Sequence, residues 1–463
     1  MSFKTLLVLF LIASSARLTA LLFTNFDLFG DEAQYWLWSE DLDFGYYSKP
    51  PFLSWAIAVW ASVFGNSFIA LKTLPFVMYF FTSFVIYFVS LEIYRNKKLA
   101  TITCFSFYLI PAVSVSSFLL STDVMLVFFW SICLLVLLKI KKNPSKLNFL
   151  LLGIFLGLAF LVKYAAIYFI LCLIILVIFD EEYKKIFNIK NKLFYIFPIT
   201  TTFVVFPNIV WNFNNAWITL SHTSDNAGLD RASINIMGGI EFLLSQALML
   251  GPILVLFFLF SFKKNKINFE NIFLIIFSLP IFIVVFVESV LVRANANWAA
   301  VGLVSVLIFL IAHAHNYSKH ILNLTNFLNF TVCLVFCYLI GTTSNFQAFD
   351  RINGISSFAS FLYIGPLSST KHLIVQDRLL YSSLSYYLKD SEKIILTPYV
   401  PGSAYSSHFQ INKPLNKTFD KDFVFLGDIN AIKYLDNKVV IKKITTKKTK
   451  FKKEPIKIYE ISF

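Results

Sequence analysis

The chain is 463 residues long, 57% hydrophobic and only 14% charged. Soluble domains carry roughly a quarter charged residues, so this composition excludes an ordinary soluble protein and points to a polytopic α-helical membrane protein. A formal net charge of +14 would suggest a nucleic-acid partner if the basic residues clustered on a folded soluble face. Most of them sit in short loops between apolar runs or in the C-terminal tail, so nucleic acid is set aside in favour of membrane orientation.

Residues 4–23 form the first apolar stretch. Ser14-Ser15-Ala16 resembles a signal-peptide cleavage site, but the apolar run resumes after Arg17, which favours a retained first span. A polar segment follows, from Gly30-Asp31-Glu32-Ala33-Gln34-Tyr35-Trp36 to Tyr46-Tyr47-Ser48-Lys49-Pro50-Pro51, and residues 24–66 are expected to form the first outer loop. Residues 52–64 are apolar but short, consistent with an interfacial helix. Further spans are expected at 67–91, 99–118, 122–140, 147–162, 164–179, 193–211, 238–262, 271–291, 298–314 and 321–341, giving about eleven in all.

Loop charge sets the orientation. One set of loops holds Arg95, Lys97 and Lys98; Lys139, Lys141, Lys142 and Lys146; Lys184, Lys185, Lys190 and Lys192; Lys263, Lys264 and Lys266; and Lys319. The alternate set holds only the isolated cations Lys49, Lys163, Arg231 and Arg293. The N-terminus is therefore expected in the cytoplasm, with the opening loop and the C-terminal tail outside. From about residue 345 the pattern changes to short β-like runs at 393–397, 423–426, 438–441 and 456–459, with Asp377 to Leu388 reading as a helix. The expected division is a transmembrane domain over 1–341 and a small soluble α/β domain over 342–463. The basic run Lys442 to Lys453 reads either as a surface for anionic lipid or polysaccharide or as a lysine-protected strand edge.

Charges near a bilayer are costly and usually functional, so the polar residues of the outward loops are the candidates. Asp31 and Glu32 can supply a carboxylate base, or can complement a helix N-terminus. Lys49 sits before a stiff Pro50-Pro51 turn and suits an anion such as a phosphate, or a lipid headgroup. Asp123 opens a span, where capping and chemistry are alternatives. Lys163 falls at a tight hairpin turn inside a long hydrophobic stretch, where it can meet a lipid-linked phosphate or snorkel to the interface. His222 and Arg231 lie in a polar loop able to bind an acceptor, and Arg293, Asn295 and Asn297 form another donor-rich turn. The five cysteines all lie in apolar runs and form no disulfide framework. No Walker loop, dinucleotide fingerprint or zinc helix is present.

Taken together, Gly30 to Trp36, Gly45 to Pro51, Thr122-Asp123, Gly157 to Tyr164 and Ala296-Asn297-Trp298-Ala299-Ala300 resemble the bacterial relatives of the protein O-mannosyltransferases among the GT-C glycosyltransferases. The resembling members include lipid A aminoarabinose transferases and lipopolysaccharide core galacturonosyltransferases. The resemblance implies a GT-C membrane fold with a small C-terminal domain in the bacterial inner membrane, its active site and tail periplasmic. It implies an inverting transferase moving a sugar from a polyprenyl-phosphate donor to a lipid A, lipopolysaccharide or other glycan acceptor, with membrane lipid around it. Asp31 matches the family's presumed base, with Asp123 a second acid near the acceptor. Lys49 matches a donor-phosphate contact, joined by Lys163 and Arg293, while Glu32, Tyr47, His222 and Asn297 fall to substrate binding. Ser48 stands where the aminoarabinose transferases place a glutamate linked to a metal site. The scheme requires no cofactor and leaves a divalent metal open. Protein O-mannosylation is the alternative acceptor chemistry, and a transporter or lipid flippase is the alternative class.

Overall fold

The structure, a computed structural model, describes residues 3–228, 233–261, 268–343, 345–435 and 439–463. Arg231, Lys263, Lys264, Lys266 and Lys438, used above, lie outside these residues. The first helices are α1 (Phe3–Phe23), α2 (Gly30–Ser39), α3 (Phe52–Phe64), α4 (Phe68–Tyr94), α5 (Lys97–Leu109), α6 (Pro111–Ser116), α7 (Thr122–Lys142) and α8 (Lys146–Val162). They continue as α9 (Ile167–Phe179), α10 (Glu181–Ile186), α11 (Ile196–Asn214), α12 (Ile218–Ala227), α13 (Ile236–Leu250) and α14 (Pro252–Ser261). The membrane region ends with α15 (Phe269–Ile276), α16 (Leu279–Leu291), α17 (Ala300–Tyr317) and α18 (Lys319–Gly341).

Among the described residues, seven helical segments are long and apolar enough to cross a bilayer, and α13–α14 makes an eighth if that pair, bent by 105°, is one span. The expected count of about eleven is therefore not met by continuous helices. The stretches 99–118, 147–162 and 164–179 hold helices of only 13, 17 and 13 residues. At ~1.5 Å per residue, 13 residues reach about 20 Å against a ~30 Å hydrocarbon core. Pro111 explains the first case. It lacks an N–H and disfavours helical geometry at Ile110, whose ψ is 149°, so α5 stops there and α6 starts afresh. At α13–α14 the break falls on Gly251, at φ +99°, followed by Pro252.

The chain forms two compact units. The first runs to Leu22, resumes over Lys49–Leu53 and continues from Leu71 to Tyr338. In it, α8 and α11 pack at backbone range. A Cβ on Gly153 would meet Thr200 Cβ at 2.6 Å and the Phe197 carbonyl oxygen at 2.7 Å, and one on Gly157 would meet Val204 Cβ at 2.7 Å. Two glycines one turn apart on one helix face allow this approach, which apolar helices in lipid need because burial alone gives them little attraction. The seam fixes the end of α8 and hence the start of the turn that carries Lys163.

The second unit comprises Phe23–Ser48, Ser54–Ala70 and Leu339–Phe463. It holds α19 (Ile355–Ile364), α20 (Arg378–Tyr387), α21 (Phe409–Asn412) and a six-stranded sheet. The strands are β1 (His372–Val375), β2 (Ile394–Pro398), β3 (Pro414–Leu415), β4 (Phe423–Leu426), β5 (Val440–Lys447) and β6 (Ile456–Ser462), in the order β3-β2-β1-β4-β6-β5. The first four are parallel and the β4-β6-β5 side is antiparallel, around a core that includes Ile374, Phe423, Phe425 and Ile461. The expected strands and helix are present. The expectation lacked β1, whose four residues offer too short a run to show a period, although it pairs with β2 and β4 at the sheet centre. The exposed β5 is an edge, which suits the edge-protecting role for its lysines.

The first loop folds with this C-terminal part, so the compact units differ from a division at residue 341. Asp27, 2% exposed, accepts hydrogen bonds from the Ile355 and Ser356 amides at the start of α19, at 2.6 and 3.2 Å. Trp36 packs edge-on to Tyr386 with ring centres 4.9 Å apart, and a Cβ on Gly30 would lie 2.9 Å from Leu379 Cβ. These contacts bury α2, whose start the paired acids Asp31 and Glu32 offered as one reading of the polar loop.

Replacing Gly157 with leucine should force α8 and α11 apart and cost about 1–3 kcal/mol as an overpacking mutation. The check is thermal melting of the purified protein in detergent; a melt equal to wild type would mean the seam is not close-packed.

Candidate active site

In the first unit, three residues expected from separate stretches meet. Asp123 lies in the first turn of α7, after Ser121 in the N-cap position. Lys163 caps the C-terminus of α8 with φ −160°, just before a 3₁₀ turn over Tyr164–Ala166. Asn297 belongs to the 3₁₀ turn Ala296–Ala299 that leads into α17. Lys163 Nζ donates to Asp123 Oδ1 at 2.6 Å, and Asn297 Nδ2 donates to Asp123 Oδ2 at 2.5 Å. The side chains of Lys163 and Asp123 are 17% and 13% exposed, so this ion pair is largely out of water.

Both turns are held from behind. Asn212 Nδ2 donates to the Tyr164 hydroxyl at 3.1 Å, and that hydroxyl donates to Asn208 Oδ1 at 2.9 Å; both asparagines are 2% exposed. Gln246 Nε2 donates to the Ala296 carbonyl at 2.9 Å. Arg293 stands on the same connection and lines a cavity of about 170 Å³ with Asn235, Glu241, Ser245 and Ser289. The Asp123 carboxylate is thus engaged on both oxygens, each by one donor. An ammonium has three N–H donors, so Lys163 keeps capacity for an anion while bonded to Asp123.

In the second unit, Asp31 and Glu32 both lie in the first turn of α2, where negative charge complements the helix dipole. They are not equivalent. Glu32 is 1% exposed and its Oε2 accepts from the Phe29 amide at 2.8 Å, closing the helix start. That placement gives Glu32 a capping role at the start of α2. Asp31 is half-buried and makes no hydrogen bond or ion pair with the described residues. Tyr47 is half-buried in the second unit, and Lys49 is half-buried in the first. His222 lies on α12, where its Nε2 is 2.9 Å from Asn226 Nδ2. Ser48 is buried, and no group of three or more His, Cys, Asp or Glu among the described residues is placed to hold a metal ion.

Around α2, Trp38 stacks on Tyr46 with ring centres 4.6 Å apart, and the Tyr46 hydroxyl donates to the Trp38 carbonyl at 2.9 Å. Burial pushes the Tyr46 phenol up to about 12, so it stays a donor. His408 meets both rings edge-on and is 4% exposed. Two further buried charges escaped the sequence reading: Arg17 in α1 and Lys72 in α4, 1% and 4% exposed. A single cation inside each apolar run was the available signal.

The fold is of the GT-C membrane type. ArnT from Cupriavidus metallidurans, bound to undecaprenyl phosphate, superposes with a TM-score of 0.70 at 12% identity over 99% of this chain and 98% of that one. Its apo form gives 0.67 at 13% identity over 98% of each. The family described as dolichyl-phosphate-mannose-protein mannosyltransferase matches residues 48–211. The lipid A galacturonosyltransferase RgtD of Rhizobium johnstonii is 29% identical over 292 residues, 62% of this chain and 61% of the relative. The match thus spans about three-fifths of that relative's length. The similarity to GT-C glycosyltransferases of lipid A transferase-like type, expected from the motifs, is borne out.

Burial pushes the His408 imidazole from 6.5 down to about 4, against the pull of Asp43 and Asp41. A base whose folded pKa lies below its unfolded value stabilises the fold fully above the unfolded value, and that contribution is lost as pH falls from 6.5 towards 4. The loss should reach about 3 kcal/mol. Melting curves of wild type and His408→Gln between pH 8 and pH 4 should converge towards acid; parallel curves would remove His408 from the account.

Proposed function

We propose that this protein is an inverting glycosyltransferase. It moves a sugar from a polyprenyl-phosphate donor to a lipid A, lipopolysaccharide or related cell-envelope acceptor on the periplasmic face of the inner membrane. The observation that carries the reading is the division of labour among its carboxylates. Glu32 closes a helix start and Asp123 holds Lys163 and Asn297, while the Asp31 side chain on α2 is unengaged among the described residues. The RgtD and ArnT likenesses support the acceptor and the polyprenyl donor respectively.

In this scheme Asp31 takes the proton of the acceptor hydroxyl as its oxygen attacks the anomeric carbon. The bond from that carbon to the phosphate oxygen breaks, and polyprenyl phosphate departs with its negative charge. Lys49, Lys163 and Arg293 are the cations that meet this charge, with Asp123 and Asn297 holding Lys163 in place. Tyr47 and His222 serve substrate binding. Because phosphate is a good leaving group, the residues mainly orient the reactants and neutralise charge, and no metal is needed. A serine or threonine acceptor is the second reading, favoured by the description of the family that matches residues 48–211.

A deletion strain should lose one sugar from its lipopolysaccharide by mass spectrometry, and wild type should restore it. Asp31→Asn should restore it at about 10²–10⁴-fold lower rate, the usual worth of a positioned base. Full restoration by Asp31→Asn would end the base assignment, and sugar loss from glycoproteins alone would favour the second reading. Membranes treated with EDTA should keep their transferase activity; loss recovered on adding a divalent metal would show that the metal-free scheme is wrong.

A further inference from the structure

The buried cations Arg17 and Lys72 have no part in the proposed chemistry, yet both bond to the connector that leads into Asp123. We infer that Arg17 and Lys72 are positioning residues, clamping the broken α5–α6 segment at its break and just past its end so that α7 begins where Asp123 meets Lys163 and Asn297. This rests on the proposed function only for its effect on activity.

A proline at the start of α6 ends the α5 ladder and leaves carbonyls of the last α5 turn without helical donors. Unmet carbonyls in a bilayer are costly. Arg17 Nη2 donates to one of them, the Tyr108 carbonyl, at 2.8 Å, and to Ser114 Oγ on α6 at 3.2 Å. Its guanidinium lies 4.2 Å from the centre of the Tyr108 ring. One side chain thus bridges both sides of the break. No carboxylate among the described residues pairs with Arg17, and its Nε and Nη1 make no hydrogen bond there. A cation kept in this setting is held by carbonyls and an aromatic face, which is how isolated membrane charges are tolerated.

The far end of the segment is tied in the same way. Lys72 Nζ donates to the Phe118 carbonyl at 2.8 Å, just beyond α6. Between the two cations, Ser116 Oγ donates to the Tyr79 hydroxyl at 2.8 Å, and Tyr79 lies within electrostatic range of Asp123. From Phe118 only four residues intervene before Asp123. A carboxylate that must meet two donors at 2.6 and 2.5 Å tolerates little drift in that short lead.

The test reads the Asp123–Lys163 pair directly, without a substrate. In the full-length protein in nanodiscs, acetylation of Lys163 by acetic anhydride is followed by mass spectrometry, beside deuterium exchange of the Thr122–Val124 amides. Arg17→Gln and Lys72→Gln should each raise Lys163 acetylation several-fold, as Asp123→Asn does. Adding either to Asp123→Asn should raise it no further. Arg17→Lys, which keeps a charged donor, should return most of the protection. Arg17→Gln and Lys72→Gln should also lower the sugar-transfer rate about tenfold or more, and by less than about twofold when Asp123 is already asparagine.

Wild-type acetylation and exchange in both glutamine variants would overturn the inference, and so would additive effects with Asp123→Asn. If a glutamine variant does not accumulate, Arg17→Ala or Lys72→Ala carries the same comparison. Absence of any sugar transfer by wild type would count against the proposed function alone, because the acetylation and exchange results still decide the clamp.

Discussion

The ion pair between Asp123 and Lys163, completed by Asn297, is the constraint on which the membrane unit depends. Its partners lie 40 and 174 positions from Asp123 in the chain, at the start of α7, the end of α8 and the turn before α17. Removing two charges from water costs several kcal/mol per ion, recovered only when geometry and further hydrogen bonds are good. Three helices must therefore end or begin at matching points. The fold meets that demand with local devices: an extended cap at Lys163 and a 3₁₀ turn at Asn297.

Those ends are set by packing elsewhere. Gly153 and Gly157 let α8 lie against the α11 backbone, which fixes how α8 delivers Lys163. Asn208 and Asn212 then grip Tyr164 from α11, so the same helix pair secures the turn on both sides of the lysine. On the other partner, Pro111 breaks the approach to α7 and Arg17 and Lys72 rejoin it through carbonyls. Each break in a membrane helix exposes polar backbone, and here the exposed groups become anchoring points.

The second unit solves a different problem. Asp31 gains its standing by contrast: its neighbour Glu32 closes the first turn of α2, and the aromatic residues of the loop are used to bury that helix. Trp36 packs against Tyr386, and Trp38 against Tyr46 and His408. The small α/β sheet is thus a support for the first loop as well as a domain in its own right.

The membrane character, the helix-rich order, the C-terminal strands and the candidate polar residues were legible in the chain itself. Each depends on local quantities: hydropathy over about twenty residues, loop charge and short-range periodicity. The pairing of Asp123 with Lys163 and Asn297 was not legible, because side chains so far apart in sequence share no local signal. The same holds for Glu32, whose carboxylate is as acidic in sequence as that of Asp31 and differs only in what it touches. Arg17 and Lys72 stood in view as lone charges in apolar runs, yet hydropathy averages dilute one cation among some twenty apolar residues. Sequence alone determined which residues are unusual for a bilayer; the tertiary structure decided which of the described residues engage one another, because engagement is a matter of ångström-scale geometry between distant parts of the chain.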